Sequence, residues 1–311
     1  MLPPTLGFLV SRKAGTGKHV ADPDDIDFVL RRRRCAHPPD VQHPPMTSDP
    51  QALDGPAEAP RPPSSLAGPA LAALWLALGA ALAAAGPGIA RPLTFAFVMA
   101  GWVLALALHE FGHAFTGWLG GDHTVVAKGY LTLDPRRYTD LGTSLVIPLV
   151  ALALGGIGFP GGAVWLREDL MRGRLWRAAA SLAGPAMTLL VLVALSGLIR
   201  LATPLLPGGA DNPLVPGLAF LGFLQAMALV LNLLPLPGLD GFGAIRPFLP
   251  ERLRQAARRL EGPAFLILFL LVFVLPGASR NLFAFAGQIA AAIGLPLDAA
   301  QAGYGAFRFW G

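Results

Sequence analysis

The alternation of apolar and polar positions divides the chain into two kinds of material. From residue 66 onward, long apolar runs alternate with short polar or proline- and glycine-rich breaks. The runs cover about 66–85, 93–119, 178–198, 218–234, 263–275 and 282–293. Several approach the roughly 20 residues that a helix needs to cross a bilayer. The last two are short for spans, although the final one extends to Leu297. A further apolar stretch, 144–154, carries Pro148 and runs into the glycine cluster between Gly155 and Gly162. That pattern suits a re-entrant segment, which dips into the membrane without crossing; irregular backbone at such depth must be buried in protein or line a cavity. The stretch 120–143 is more polar. Its β-branched and aromatic pieces, Thr124-Val125-Val126 and Tyr130-Leu131-Thr132-Leu133 around Gly129, predict a small β-hairpin. Residues 1–65 are rich in Pro, Asp and Arg and lack apolar periodicity, so they read as a disordered tail. The predicted fold is an all-α multi-pass membrane protein of about six transmembrane helices. Its membrane domain covers 66–295, and a short tail, 296–311, follows.

Composition agrees with this reading. The chain of 311 residues is 54% hydrophobic and only 14% charged, which is far from an ordinary soluble domain. The net charge of +5 is no nucleic-acid signal, because the basic residues cluster in the loops between apolar runs. With a cytoplasmic N-terminus and six crossings, only Arg91, Arg200 and Arg280 lie outside; the other 21 of 24 Lys and Arg lie inside. This asymmetry is the one that membrane insertion favours, and it predicts that both termini are cytoplasmic. It requires that 144–154 does not cross. The single cysteine, Cys35, excludes a disulfide framework and a cysteine-rich zinc site.

The run 93–119 contains His109-Glu110-Phe111-Gly112-His113. Histidines at i and i+4 lie on one face of a helix, where both imidazoles can hold one metal ion. A glutamate beside the first histidine is the general base in the HExxH pattern of zinc peptidases. Two histidines four apart can also be packing partners in a helix. Within a span, however, ionisable groups are costly and functional by default. A catalytic zinc takes three protein ligands and a water. The metzincin extension fails, because Thr116 and Leu119 stand where it needs Gly and His. Among the later runs the candidate is Asp240, in Asn232-Leu233-Leu234-Pro235-Leu236-Pro237-Gly238-Leu239-Asp240-Gly241. In the six-span topology its run ends on the same side as the HExxH run. Pro235 and Pro237 open the helix there. The blander alternative is an interfacial carboxylate after a helix end. From the residues alone, a divalent-metal transporter or a membrane scaffold stays open beside a hydrolase.

HEFGH in one span and NLLPLPGLDG in a later one resemble the site-2 protease family of intramembrane zinc metalloproteases. The resemblance covers about 93–241, a three-span catalytic core. It implies one zinc per chain on His109, His113 and Asp240, with Glu110 as catalytic base. It implies a substrate-binding role for Asn232 and matches Ala183-Gly184-Pro185 to a Gly-Pro motif of the intervening span. Where the family often has Asn three residues after that proline, this chain has Thr188. The segment 155–164 resembles the family's re-entrant region, and Gly161 and Gly162 fall where an unwound substrate pairs with an edge strand; 124–126 is the other candidate for that edge. The implied activity is endopeptidase cleavage in or near a transmembrane segment of a membrane-protein substrate, within regulated intramembrane proteolysis at the cell membrane.

Overall fold

The computed structural model describes residues 65–138, 150, 152, 164–261 and 277–310. Its main helices are α1 (Ala67–Ala83), α2 (Pro87–Gly120), α3 (Arg174–Ala202), α4 (Leu214–Asn232), α5 (Asp240–Ile245), α6 (Glu251–Glu261), α7 (Ala278–Ile293) and α8 (Leu297–Phe307). The expected tail lies outside the described residues except for Ser65, as does the run 263–275. Of the expected re-entrant stretch 144–164, only Val150, Leu152 and Val164 are described, so Gly161 and Gly162 also fall outside.

Three described helices are long and apolar enough to cross a bilayer: α2, α3 with the turn that continues it to Leu205, and α4. α1 is apolar but has 17 residues. Pro87 opens α2 at a position where its missing N–H costs nothing. Gly121 closes α2 at φ +117°, in the left-handed region that glycine enters without a Cβ clash. α1 returns antiparallel along α2: Trp75 stacks on Phe97 with ring centroids 5.2 Å apart, and the same indole lies against Gly101. α4 is buried on nearly every side by α2, α3, α7 and α8, which is why its sequence shows no polar face.

The hairpin expected around Gly129 does not form. Thr124–Ala127 is one helical turn, and no strand occurs among the described residues. The buried Asp122 explains the turn. Its Oδ1 accepts from the Thr124 N–H (3.0 Å) and hydroxyl (2.6 Å), which holds the backbone in a turn before any strand can pair. Val125 is fully buried with Ala107, Ala114, Tyr130 and Tyr138. Tertiary packing has overridden a local β preference. Asp122 Oδ2 also accepts from the Arg167 N–H at 2.7 Å, and so ties this loop to the segment entering α3.

The first and last described residues pack at different ends of α2. The Ser65 hydroxyl, ahead of α1, donates to the Asp134 carboxylate at 2.8 Å, in the loop that follows the HExxH end of α2. The Arg136 guanidinium on that carboxylate holds its pKa well below the usual range. The far end of the chain lies elsewhere. Arg91, near the start of α2, donates to the carbonyls of Gly305 (3.1 Å) and Arg308 (3.2 Å). Phe95 packs on Phe307, Phe309 and Trp310. His109 lies 14 residues beyond Phe95, about 21 Å along the helix. The run from 282 is therefore not one crossing to the HExxH side. α7 and α8, with 16 and 11 residues, form a bent pair. Its closing aromatic residues return to the start of α2.

Candidate metal centre

His109 and His113 stand one turn apart on α2, with ring centroids 4.7 Å apart. α3 crosses α2 at this level with almost no side chain between the backbones. A Cβ on Gly112 would meet the Ala183 carbonyl oxygen at 2.6 Å. A Cβ on Gly184 would lie 2.2 Å from His113 Nε2 and 2.6 Å from His109 Nε2. Small residues permit such contact between membrane helices. Pro185 follows and cannot donate to the carbonyl of Ser181.

α3 also fixes how the imidazoles point. His113 Nδ1 lies 2.7 Å from the Ala180 carbonyl oxygen. A carbonyl only accepts, so Nδ1 carries the proton, and the neutral ring presents the Nε2 lone pair. His109 Nδ1 lies 2.8 Å from the Thr188 hydroxyl, the same outward arrangement. Partners on the far nitrogen orient metal-binding histidines in this way. The two Nε2 atoms face each other at 3.1 Å.

Asp240 completes the group. The segment after α4 turns back through Pro235 and Pro237, and Asp240 becomes the first residue of α5. Its Oδ2 lies 3.2 Å from His109 Nε2 and its Oδ1 3.3 Å from His113 Nε2. Oδ2 is buried and has no hydrogen-bond donor among the described residues. Three potential electron-pair donors thus converge. The two Nε2 atoms are 3.1 Å apart and each has one of the two Asp240 oxygens at 3.2 or 3.3 Å, close to the ligand–ligand spacing of about 3.3 Å around a tetrahedral cation with bonds of about 2.0–2.1 Å. The space that a Gly184 methyl would fill lies against the Nε2 atoms of both histidines. The residues present therefore fit a zinc ion, and among the described residues they are the one His, Cys, Asp and Glu group able to hold a metal.

Glu110 is almost fully buried beside this group, and its Oε2 accepts from the Val164 N–H at 3.1 Å. A cavity of about 600 Å³ opens here, lined by His109, Glu110, His113, Asp240 and Asn232 among others. Asn232, the last residue of α4, is buried at its wall. Thr188, in place of the family's frequent Asn, does make a polar contact, and it makes it with His109. Two wall residues escaped the sequence reading: Trp102 on α2 and Gln225 on α4, both buried. For Gln225 a signal existed, because it lies seven residues before Asn232 and so on the same helical face.

These features define a zinc peptidase built into apolar helices, and sequence comparison identifies its kin. The chain is 44% identical over 238 residues to "Putative zinc metalloprotease Rip2" of Mycolicibacterium smegmatis, an alignment covering 75% of this chain and 90% of that protein. It is 45% identical over 241 residues to the protein of the same name in Mycobacterium tuberculosis strain H37Rv, again 75% of this chain and 90% of the relative. "Putative zinc metalloprotease YwhC" of Bacillus subtilis is 30% identical over 194 residues, 58% of this chain and 81% of that protein. No family model and no solved structure matches the chain. The chain belongs to the site-2 protease family of zinc metalloproteases.

Proposed function

We propose that the chain is an intramembrane endopeptidase, which hydrolyses a peptide bond in or near a transmembrane segment of a membrane-protein substrate during regulated intramembrane proteolysis. The observation that carries this reading is the position of His109, Glu110 and His113. They are buried within Pro87–Gly120, a helix long and apolar enough to cross a membrane. His109, His113 and Asp240 are the zinc ligands in this reading, and Glu110 is the catalytic base. Bound zinc supplies Lewis-acid polarisation of the scissile carbonyl and a more acidic water. Glu110 takes a proton from the attacking water and delivers it to the leaving amine. The Ala180 carbonyl fixes the tautomer and orientation of His113, and Thr188 orients His109. Asn232 contacts the substrate from the cavity wall.

A helical substrate hides its carbonyls, so it unwinds and pairs by strand addition. Gly161 and Gly162 lead into Val164 at the cavity and are the proposed edge; 124–126 is helical and is no longer a candidate. Basic residues flank the HExxH end of α2, among them Lys128, Arg136, Arg137 and Arg167. This supports a cytoplasmic active-site end in a multi-pass chain of the cell membrane. The test is mass spectrometry of membrane fragments from cells making the wild type or Glu110→Gln. Fragments cut within or beside a transmembrane segment should accumulate only with the wild type. Identical fragment sets would refute the proposal.

A further inference from the structure

Beyond the zinc-binding group, the cavity holds two buried N–H donors with no acceptor among the described residues: Gln225 Nε2 and Trp102 Nε1. Gln225 is 2% exposed and Trp102 3%. Each lies seven residues ahead of a site residue on its own helix, Gln225 before Asn232 and Trp102 before His109. Seven residues are two turns, or about 10.5 Å. Gly101 meets Leu221 and Gly217 meets Phe97 where α2 and α4 pack, so Gln225 is about level with Ala105, and both donors lie deeper along the helices than the zinc-binding group. The wall around them is apolar, with Ala105, Leu106 and Ala228. A buried donor left without a partner is unfavourable, so a site that keeps two of them has an acceptor to receive. Peptide carbonyls are the acceptors that an unwound transmembrane segment brings into an apolar cleft. An extended chain covers about 10 Å in three residues.

We propose that Gln225, with Trp102, is a substrate-positioning contact that binds a backbone carbonyl of the unwound substrate about two to three residues from the scissile bond. It holds the segment in register while the reacting carbonyl lies beside Glu110. The proposal rests on the peptidase reading above.

The test uses the purified, zinc-loaded full chain and measures the affinity of acetohydroxamate and of two peptidyl hydroxamate series. One series is extended on the N-terminal side and the other on the C-terminal side, by one to four residues. In one series the second or third residue should tighten binding to the wild type. Gln225→Met, which keeps the volume and removes the amide, should lose that increment, about fivefold for one hydrogen bond. Trp102→Phe should show the same dependence on length. Acetohydroxamate and the one-residue members should bind both variants as they bind the wild type. The melting temperature of Gln225→Met should not fall, because no protein partner is lost. Equal affinity of wild type and Gln225→Met at every length, a uniform loss at all lengths, or a lower melting temperature would overturn the proposal. Failure of the wild type to bind acetohydroxamate would instead overturn the metallopeptidase reading itself.

Discussion

Gly184→Ala should abolish zinc binding while the helices stay in place. The added methyl would lie 2.2 Å from His113 Nε2, 2.5 Å from His113 Cε1 and 2.6 Å from His109 Nε2. None of these neighbours is the far end of a flexible chain, since Ala180 and Thr188 hold both rings. The methyl would press on the metal-facing atoms of both histidines, so either the rings or the helices must part. Disturbing a group behind the ligands typically costs 10- to 100-fold in metal affinity. Intrusion among the ligands should cost at least about 100-fold, or about 2.7 kcal/mol. The fold itself faces an overpacking penalty of about 1–3 kcal/mol. A helix gain of up to about 1 kcal/mol for Ala over Gly offsets part of it. Gly197 on the same helix is the control, because a Cβ there meets nothing within 4 Å. Gly197→Ala should keep full zinc affinity and wild-type or slightly higher stability. Zinc per purified chain, competition against a chelator and melting temperature read all three chains. Wild-type zinc affinity in Gly184→Ala would refute the reasoning.

Thr188→Val keeps the shape but removes the partner of His109 Nδ1, and it should weaken zinc binding about 10- to 100-fold; an unchanged affinity in chelator competition would show that the hydroxyl does not orient the ring. For topology, with Cys35 changed to Ser, cysteines at 209 and 308 should react with an impermeant reagent from one side of the membrane and those at 136 and 169 from the other. Labelling of 308 together with 136 would contradict the Arg91 and Phe95 contacts.

The metal-binding group was legible in the sequence because its parts are chemically conspicuous. His109, Glu110, His113 and Asp240 are ionisable groups within or beside apolar runs. Asn232 entered only through the family resemblance. The parts that escaped are those whose meaning depends on a neighbouring element. Gln225 is one amide in an apolar helix, and its only sequence signal is that it shares a helical face with Asn232. Thr188 acquires a role only because α3 brings it to His109, and Gly184 only because the helices cross there. The supposed hairpin failed for a related reason. Val125 and Val126 have strand propensity, but the Asp122 carboxylate starts a turn and Val125 is buried under Tyr130 and Tyr138. At the far end, hydropathy showed that 282–293 is apolar but not where it goes. The aromatic contacts between Phe95 and the last residues decide that, and they join positions more than 200 apart in the chain.

The central claim is that three side chains hold zinc while a fourth, Glu110, moves the proton. Zinc content and turnover, measured together on Glu110→Gln, separate these roles most directly. The substrate for turnover is the one identified by the membrane-fragment comparison. The account predicts one zinc per chain, as in the wild type, with turnover lower by about 10²- to 10⁴-fold, the usual share of a general base. A Glu110→Gln chain that still cleaves at the wild-type rate, or that has lost its zinc, would contradict it.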